Sequence, residues 1–197
     1  MLPQIRVLCC PMLTLHIARG DYEGVDMTIS RDPHGHPVKL GPDLAVTVPF
    51  RAELSELEKY PDVERIDLVM DLVDGVIQPT TITVVAKEGT AVRGQVLRTL
   101  PIKFLTTELV SRQIGKVVET PDGSFGATFP FTLSAEERLQ IRVNGPTDEA
   151  LRMVASVYEV GKVMGQPPAK SVEDTLGLPR STASRWVSLA RERGYLS

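Results

Sequence analysis

The chain has 197 residues, 42% of them apolar and 5% aromatic, with fifteen Gly and fifteen Pro. That length holds one large domain or two small ones around a proper core, and the Gly and Pro content argues against a bundle of long helices. A net charge of −3 does not advertise a nucleic-acid partner for the molecule as a whole, so the distribution of charge matters more than its sum.

The N-terminal run from Ile5 to Ile17 is apolar but interrupted by Pro11 and His16, with neither a cleavage site nor the length of a membrane span, and it reads as part of a domain. Within it Cys9 and Cys10 are adjacent, so no disulfide framework or metal quartet can be built from them, and a reducing, cytoplasmic setting fits. Leu13, Leu15 and Ile17 alternate with polar or small residues, and after the turn signal Gly20-Asp21 the alternation resumes at Met27 and Ile29. This predicts two antiparallel strands. Residues 32–37, Asp-Pro-His-Gly-His-Pro, read as a loop, and 45–50 as a third strand with Val46, Val48 and Phe50 on one face. The charged stretch 52–60 predicts a short helix ended by Pro61.

Residues 64–77 fit a strand and a helix equally well by period, but Asp74-Gly75 is a strong two-residue hairpin signal and the β-rich run 80–86 follows it. The expectation is a hairpin with Pro79 at an edge or bulge. Val96, Leu97 and Leu100 predict a short helix, and Phe104, Leu105, Leu109 and Val110 a second one opened by Pro101 and closed by Gly115. Residues 117–119, the turn Pro121-Asp122-Gly123 and 128–131 make another hairpin, whose Phe125, Phe129 and Phe131 are read as core. Residues 140–143 are left as a strand or a helix end.

Asn144-Gly145-Pro146 marks the domain boundary, where the pattern turns purely helical. The fold class expected is α+β: a mixed, β-rich domain over 1–144 and an all-α, tri-helical helix-turn-helix domain over 145–197. Thr147 caps a helix with Asp148 and Glu149 in its first turn and an apolar face of Leu151, Val154, Ala155 and Tyr158. The three helices are expected over 147–164, 168–176 and 181–193. Gly177 supplies the left-handed turn between the second and third. In the third, Ala183, Trp186, Val187 and Ala190 form the inner stripe, while Arg180, Ser181, Ser184, Arg185, Ser188 and Arg191 lie outside. From Gly177 onward there are 4 Lys/Arg against 1 Asp/Glu. Short hydroxyl side chains let a helix approach a groove closely, and Arg reads guanine edges or clamps phosphate. Arg180, Thr182 and Arg185 are the first candidates for DNA contact, with Ser181 and Ser184 beside them. Lys170, Ser171, Arg191 and Arg193 are candidates for phosphate.

These residues carry a resemblance. The segment SVEDTLGLPRSTASRWVSLARERGYL resembles bacterial and phage helix-turn-helix DNA-binding proteins at Leu176-Gly177-Leu178, Ser181-Thr182, Arg185-Trp186 and the closing Ala190-Arg191-Glu192-Arg193-Gly194. It covers about the last fifty residues. Glu173 departs from the pattern, which places a small residue there facing the third helix; either the helices splay or Glu173 points past the contact. The family often continues after such an RGYL ending into a β-wing; here the sequence stops at Ser197, so a wingless tri-helical reader is expected.

The function expected is a non-enzymatic, sequence-specific binder of double-stranded DNA, most simply a transcriptional regulator acting as a homodimer on the nucleoid. The alternative is an interaction or phage/plasmid accessory protein that binds a partner through the N-terminal domain and uses the helical unit as a DNA tether. A DNA recombinase or nuclease ranks last: the Tyr-x-Arg-x-Ser setting of small serine recombinases is missing, and Ser30 is the only early serine. Asp67, Asp71 and Asp74 could form an acidic metal site and His34 with His36 a two-imidazole one, but solvated strand positions and turn chemistry account for both. No Walker loop, dinucleotide fingerprint or zincin helix occurs, so no catalytic residue, cofactor or metal is expected.

Overall fold

The computed structural model describes residues 12–17, 25–119, 125–128 and 130–196. Cys9, Cys10, the Gly20-Asp21 turn, the Pro121-Asp122-Gly123 turn and Phe129 lie outside them. The architecture is mixed α+β, a seven-stranded antiparallel sheet followed by helices. The strands expected around Leu13 and Ile29 are present: β1 (Met12–Ile17) runs antiparallel to β2 (Val25–Leu40), with Leu13 opposite Ile29.

Residues 32–37 are a correction. They do not leave the sheet as a loop; β2 runs through them, and only its register with β3 (Leu44–Ser55) shifts between Arg31 and His36. The turn chemistry is local. One oxygen of Asp32 accepts the His34 N–H at 3.0 Å and the other accepts Arg51 Nε from β3 at 2.8 Å, so the Asp-Pro-His-Gly run becomes a bulge instead of a strand end.

The helix expected over 52–60 is a second correction. β3 continues to Ser55, and a turn follows in which Glu56 takes a positive φ of 53°. Ala52 and Leu54 are buried while Arg51 and Glu53 are exposed, which is a period of two. Pairing on both sides decides it: Ala52 lies opposite Ile29 of β2 and opposite Leu68 of β4 (Val63–Val73). Helix propensity in a charged stretch is a weak prior beside two ladders of hydrogen bonds.

The ambiguous segment is the expected hairpin. β4 turns into β5 (Val76–Ala86) through Asp74 and Gly75, both at positive φ, 51° and 78°, as a two-residue hairpin loop requires. Pro79 faces Met70 and Thr81 faces Val69, so Thr80 is the extra residue of a bulge. Helices α1 (Gly94–Thr99) and α2 (Ile102–Gln113) follow where expected, and α2 buries Leu105, Leu109 and Val110. Gly115 does not close this unit but belongs to β6 (Ile114–Glu119), opposite Ala45. Thus one side of β3 is shared, its first residues pairing with β6 and its later ones with β4. β7 (Phe125–Thr128) completes a hairpin with β6, Glu119 opposite Phe125.

Residues 140–143 are helical, inside α3 (Ala135–Asn144). Its start is a capping box, in which Ser134 Oγ accepts the Glu137 N–H at 3.1 Å and the Glu137 carboxylate accepts the Ser134 N–H at 2.8 Å. Three further helices end the chain: α4 (Asp148–Val163), α5 (Pro168–Leu176) and α6 (Arg180–Glu192).

Two apolar cores result. The first lies on one face of the sheet, from Met27, Phe50, Leu54, Ile66, Leu68 and Met70 to Leu105 and Leu109 of α2, and takes in Val163 from the end of α4. The second is helical, and Phe131 packs against both. The turn between β2 and β3 docks on α4: the Asp43 N–H donates to Ser156 Oγ at 3.2 Å, and its carboxylate pairs with Arg152 at 2.6 Å. Gly41 is required there, because its φ is +71° and a Cβ would lie 2.8 Å from the Ser156 Cα. Among the described residues no helix is long and apolar enough to cross a membrane.

Candidate functional site

The last three helices pack on one another around Leu151, Val154 and Ala155 of α4, Val172 and Leu176 of α5, and Ala183, Trp186, Val187 and Ala190 of α6, all buried. Burying such a Leu or Val side chain contributes about 1.5–3 kcal/mol. Local chemistry sets the ends. Thr147 Oγ1 accepts the Ala150 N–H at 3.3 Å to begin α4, and Pro168 occupies the first turn of α5. α5 stops at Gly177, in the left-handed region with φ 63° and ψ 36°, and the next amide, Leu178, donates back to the Glu173 carbonyl at 3.0 Å. Leu178 is buried, and α6 starts directly after Pro179.

The outer face of α6 is open. Arg180, Ser181, Ser184, Arg185 and Ser188 are exposed and Thr182 is half-buried. Among the described residues neither Arg180 nor Arg185 has an ion pair or side-chain hydrogen bond. No acidic side chain occurs on α6 before Glu192. No side chain among the described residues caps the start of α6 at Pro179, and the first amides of the helix supply partial positive charge beside Arg180.

The remaining candidates are differently placed. Lys170 is held between Glu173 and Asp174, each at 2.8 Å, and the Asp174 bond, followed by that to Glu173, raises its pKa above the ordinary value. Ser171 sits where α4 and α5 cross; its Oγ lies 3.4 Å from the Pro167 carbonyl, and a Cβ on Gly161 would come within 2.6 Å of it. Arg191 donates to Tyr158 Oη at 2.9 Å with its guanidinium 5.2 Å from the ring centroid, and Arg193 pairs with Asp148. So Arg180, Ser181, Thr182, Ser184 and Arg185 gather on one face, while Lys170, Ser171, Arg191 and Arg193 are engaged within the helical unit.

The Glu173 carboxylate is turned along α5 to Lys170 at 2.8 Å, and its side chain is 25% exposed. Val172 and Leu176 of α5 and Ala183 of α6 are buried in the same core. One residue escaped the sequence reading. Arg142 of α3 reaches the turn, its Nη1 3.4 Å from the Gly177 carbonyl, and adds an exposed cation beside it. Its segment reads as a strand or a helix end, so no single face follows from the sequence.

Elsewhere, Asp67 pairs with Arg65 at 3.2 Å, Asp71 accepts the Leu72 N–H at 2.7 Å, and His34 and His36 are exposed on β2. Among the described residues no three His, Cys, Asp or Glu side chains are grouped as a metal site requires. A cleft of about 330 Å³ opens between α3 and the start of α4, lined by Glu137, Gln140, Ile141, Asn144, Glu149 and Met153 among others. Its Glu137 carboxylate is already engaged, and the Ser134 N–H holds its pKa below the ordinary value. No protein-family model, no curated protein and no solved structure matches this chain.

Proposed function

We propose that the chain is a sequence-specific binder of double-stranded DNA, a non-enzymatic transcriptional regulator of bacterial or phage type, with α5, the Gly177 turn and α6 as a helix-turn-helix. The observation that carries this reading is the open face of α6, where Arg180 and Arg185, without a partner among the described residues, flank hydroxyl side chains and no carboxylate of α6 intervenes. Laid in the major groove, such a face brings the guanidinium groups to guanine O6 and N7, each good bidentate pair discriminating by about 1–3 kcal/mol. Ser181, Thr182 and Ser184 keep the helix close, and the amides at Arg180 favour a phosphate.

Lys170, Arg191 and Arg193 would serve phosphate by exchanging partners. Their present contacts are exposed, and exposed ion pairs are weak, so a closely held phosphate competes with them readily. A single reader of this size spans only a few base pairs, so useful affinity calls for two copies, with the part before Gly145 supplying dimerisation, a partner surface or an effector site. Such a protein works in the cytoplasm, on the nucleoid.

The test is selection of duplexes from a randomised pool followed by mobility shift. Arg180→Ala combined with Arg185→Ala should abolish sequence-selective retention and leave the thermal transition unchanged, since neither side chain is packed. Selective retention by the double variant would overturn the assignment of α6.

A further inference from the structure

The sheet ends at β5, which pairs with β4 alone among the described residues. An open edge presents a row of unused N–H and C=O groups, and soluble proteins commonly blunt it with charge, proline or a bulge. Here the blunting stops early. Pro79 and the bulge at Thr80 protect one end, and Lys87 stands at the other. Between them residues 80–86 read Thr-Thr-Ile-Thr-Val-Val-Ala, without a charge and β-branched at every position but the last. Residues 80–83 are exposed. Ile82 lies opposite the fully buried Leu68 and therefore on the core face, yet it is 38% exposed.

We propose that this edge pairs antiparallel with the same edge of a second copy, about a twofold axis through Thr83, so that the two sheets become one. The register follows from parity and ends. A continuous sheet keeps core faces on one side, so the axis must pass through a residue and not between two. Pro79 and Lys87 are each four residues from Thr83, so centring there uses the whole uncharged span and leaves both outside it. Ile82 then meets Val84 of the second copy on the core face, Thr81 meets Val85, and Thr83 meets itself. These are favourable cross-strand pairs.

The edge is self-complementary because it carries no charge: identical strands approach antiparallel without like charges facing, and a charged foreign strand finds no complement. Choosing a second copy as the occupant also rests on the proposed DNA reading, which calls for two readers. Closed twofold pairing uses the edge up and ends growth at a dimer.

The experiment is sedimentation of the full chain without DNA at micromolar concentration, with mobility shift on the same samples. Wild type should sediment at twice the mass of one chain. Thr83→Lys and Thr83→Glu, each exposed and checked for fold by circular dichroism, should weaken self-association roughly tenfold or more, because like charges sit directly opposite. An equimolar mixture of the two should recover the dimer as a mixed pair. A monomeric wild type, or a dimer equally tight in both variants with no preference for the mixed pair, overturns the proposal. A dimer that lacks selective DNA retention overturns the DNA reading alone, and selective retention by a wild-type monomer overturns this inference alone.

Discussion

Asp32 is only 6% exposed, yet it sits at the bulge of β2 as a carboxylate because its surroundings favour the charged form. The His34 N–H is the largest influence lowering its pKa; burial opposes it, and the Arg51 guanidinium adds to the lowering. The folded value therefore lies below the unfolded one. The stability gained is fully present above the usual carboxylate range and is lost as pH falls through the lowered folded value. Asp32→Asn should flatten this loss. Thermal midpoints followed from neutral into acid solution should fall more steeply for wild type than for the variant, and parallel curves would deny Asp32 this part. None of it was legible in the residues themselves. Asp-Pro-His-Gly is turn chemistry by every local rule, and Arg51, nineteen positions on, makes it a bulge.

At the scale of elements, the turn between α5 and α6 depends on one backbone conformation. Gly177 at φ 63° costs nothing, whereas an L-residue with a Cβ pays about 1–2 kcal/mol there, and Asn tolerates the region better than Ala. Gly177→Ala should therefore lower the thermal midpoint by several degrees, with Gly177→Asn between it and wild type. Equal midpoints for all three would mean that the turn adopts another conformation. This turn was legible because its determinants are local: a left-handed glycine, an apolar pair and a proline ahead of the next helix. So was the β4–β5 hairpin, which Asp74-Gly75 specified although the period of residues 64–77 did not. The stretch 52–60 departs from the expected helix for the opposite reason. Its charges alternate as well with a strand as with a helix, and only pairing with β2 and β4 selects the strand.

At the scale of the whole molecule, α4 ties the sheet to the helical unit, since Ser156 and Arg152 hold the β2–β3 turn while Val163 enters the first core. Charge is separated along the same line: the segment from Gly177 carries 4 cations against 1 anion within a molecule of net charge −3. DNA affinity should thus fall steeply with ionic strength, as the proposed phosphate contacts require. Each phosphate neutralised contributes about −0.9 to the slope of log affinity on log salt. Lys170→Ala should reduce that slope by about one contact per copy if Lys170 leaves Glu173 and Asp174 for phosphate. An unchanged slope would assign it to those two acids alone.

The sequence by itself determined the α+β class, the three closing helices with the Thr147 cap and the Gly177 turn, and the candidate face of α6, because helix periodicity, a capping residue and a glycine turn act over a few neighbouring positions. The tertiary structure decided what depends on distant partners. It drew β2 through a run of turn residues, extended β3 between two neighbours, and set Arg142 beside the turn. It also separated the cations of the helical unit into Arg180 and Arg185, which have no ion pair or side-chain hydrogen bond among the described residues, and Lys170, Arg191 and Arg193, which are engaged. Composition can count charges, but only packing brings each one to its partner or leaves it without one.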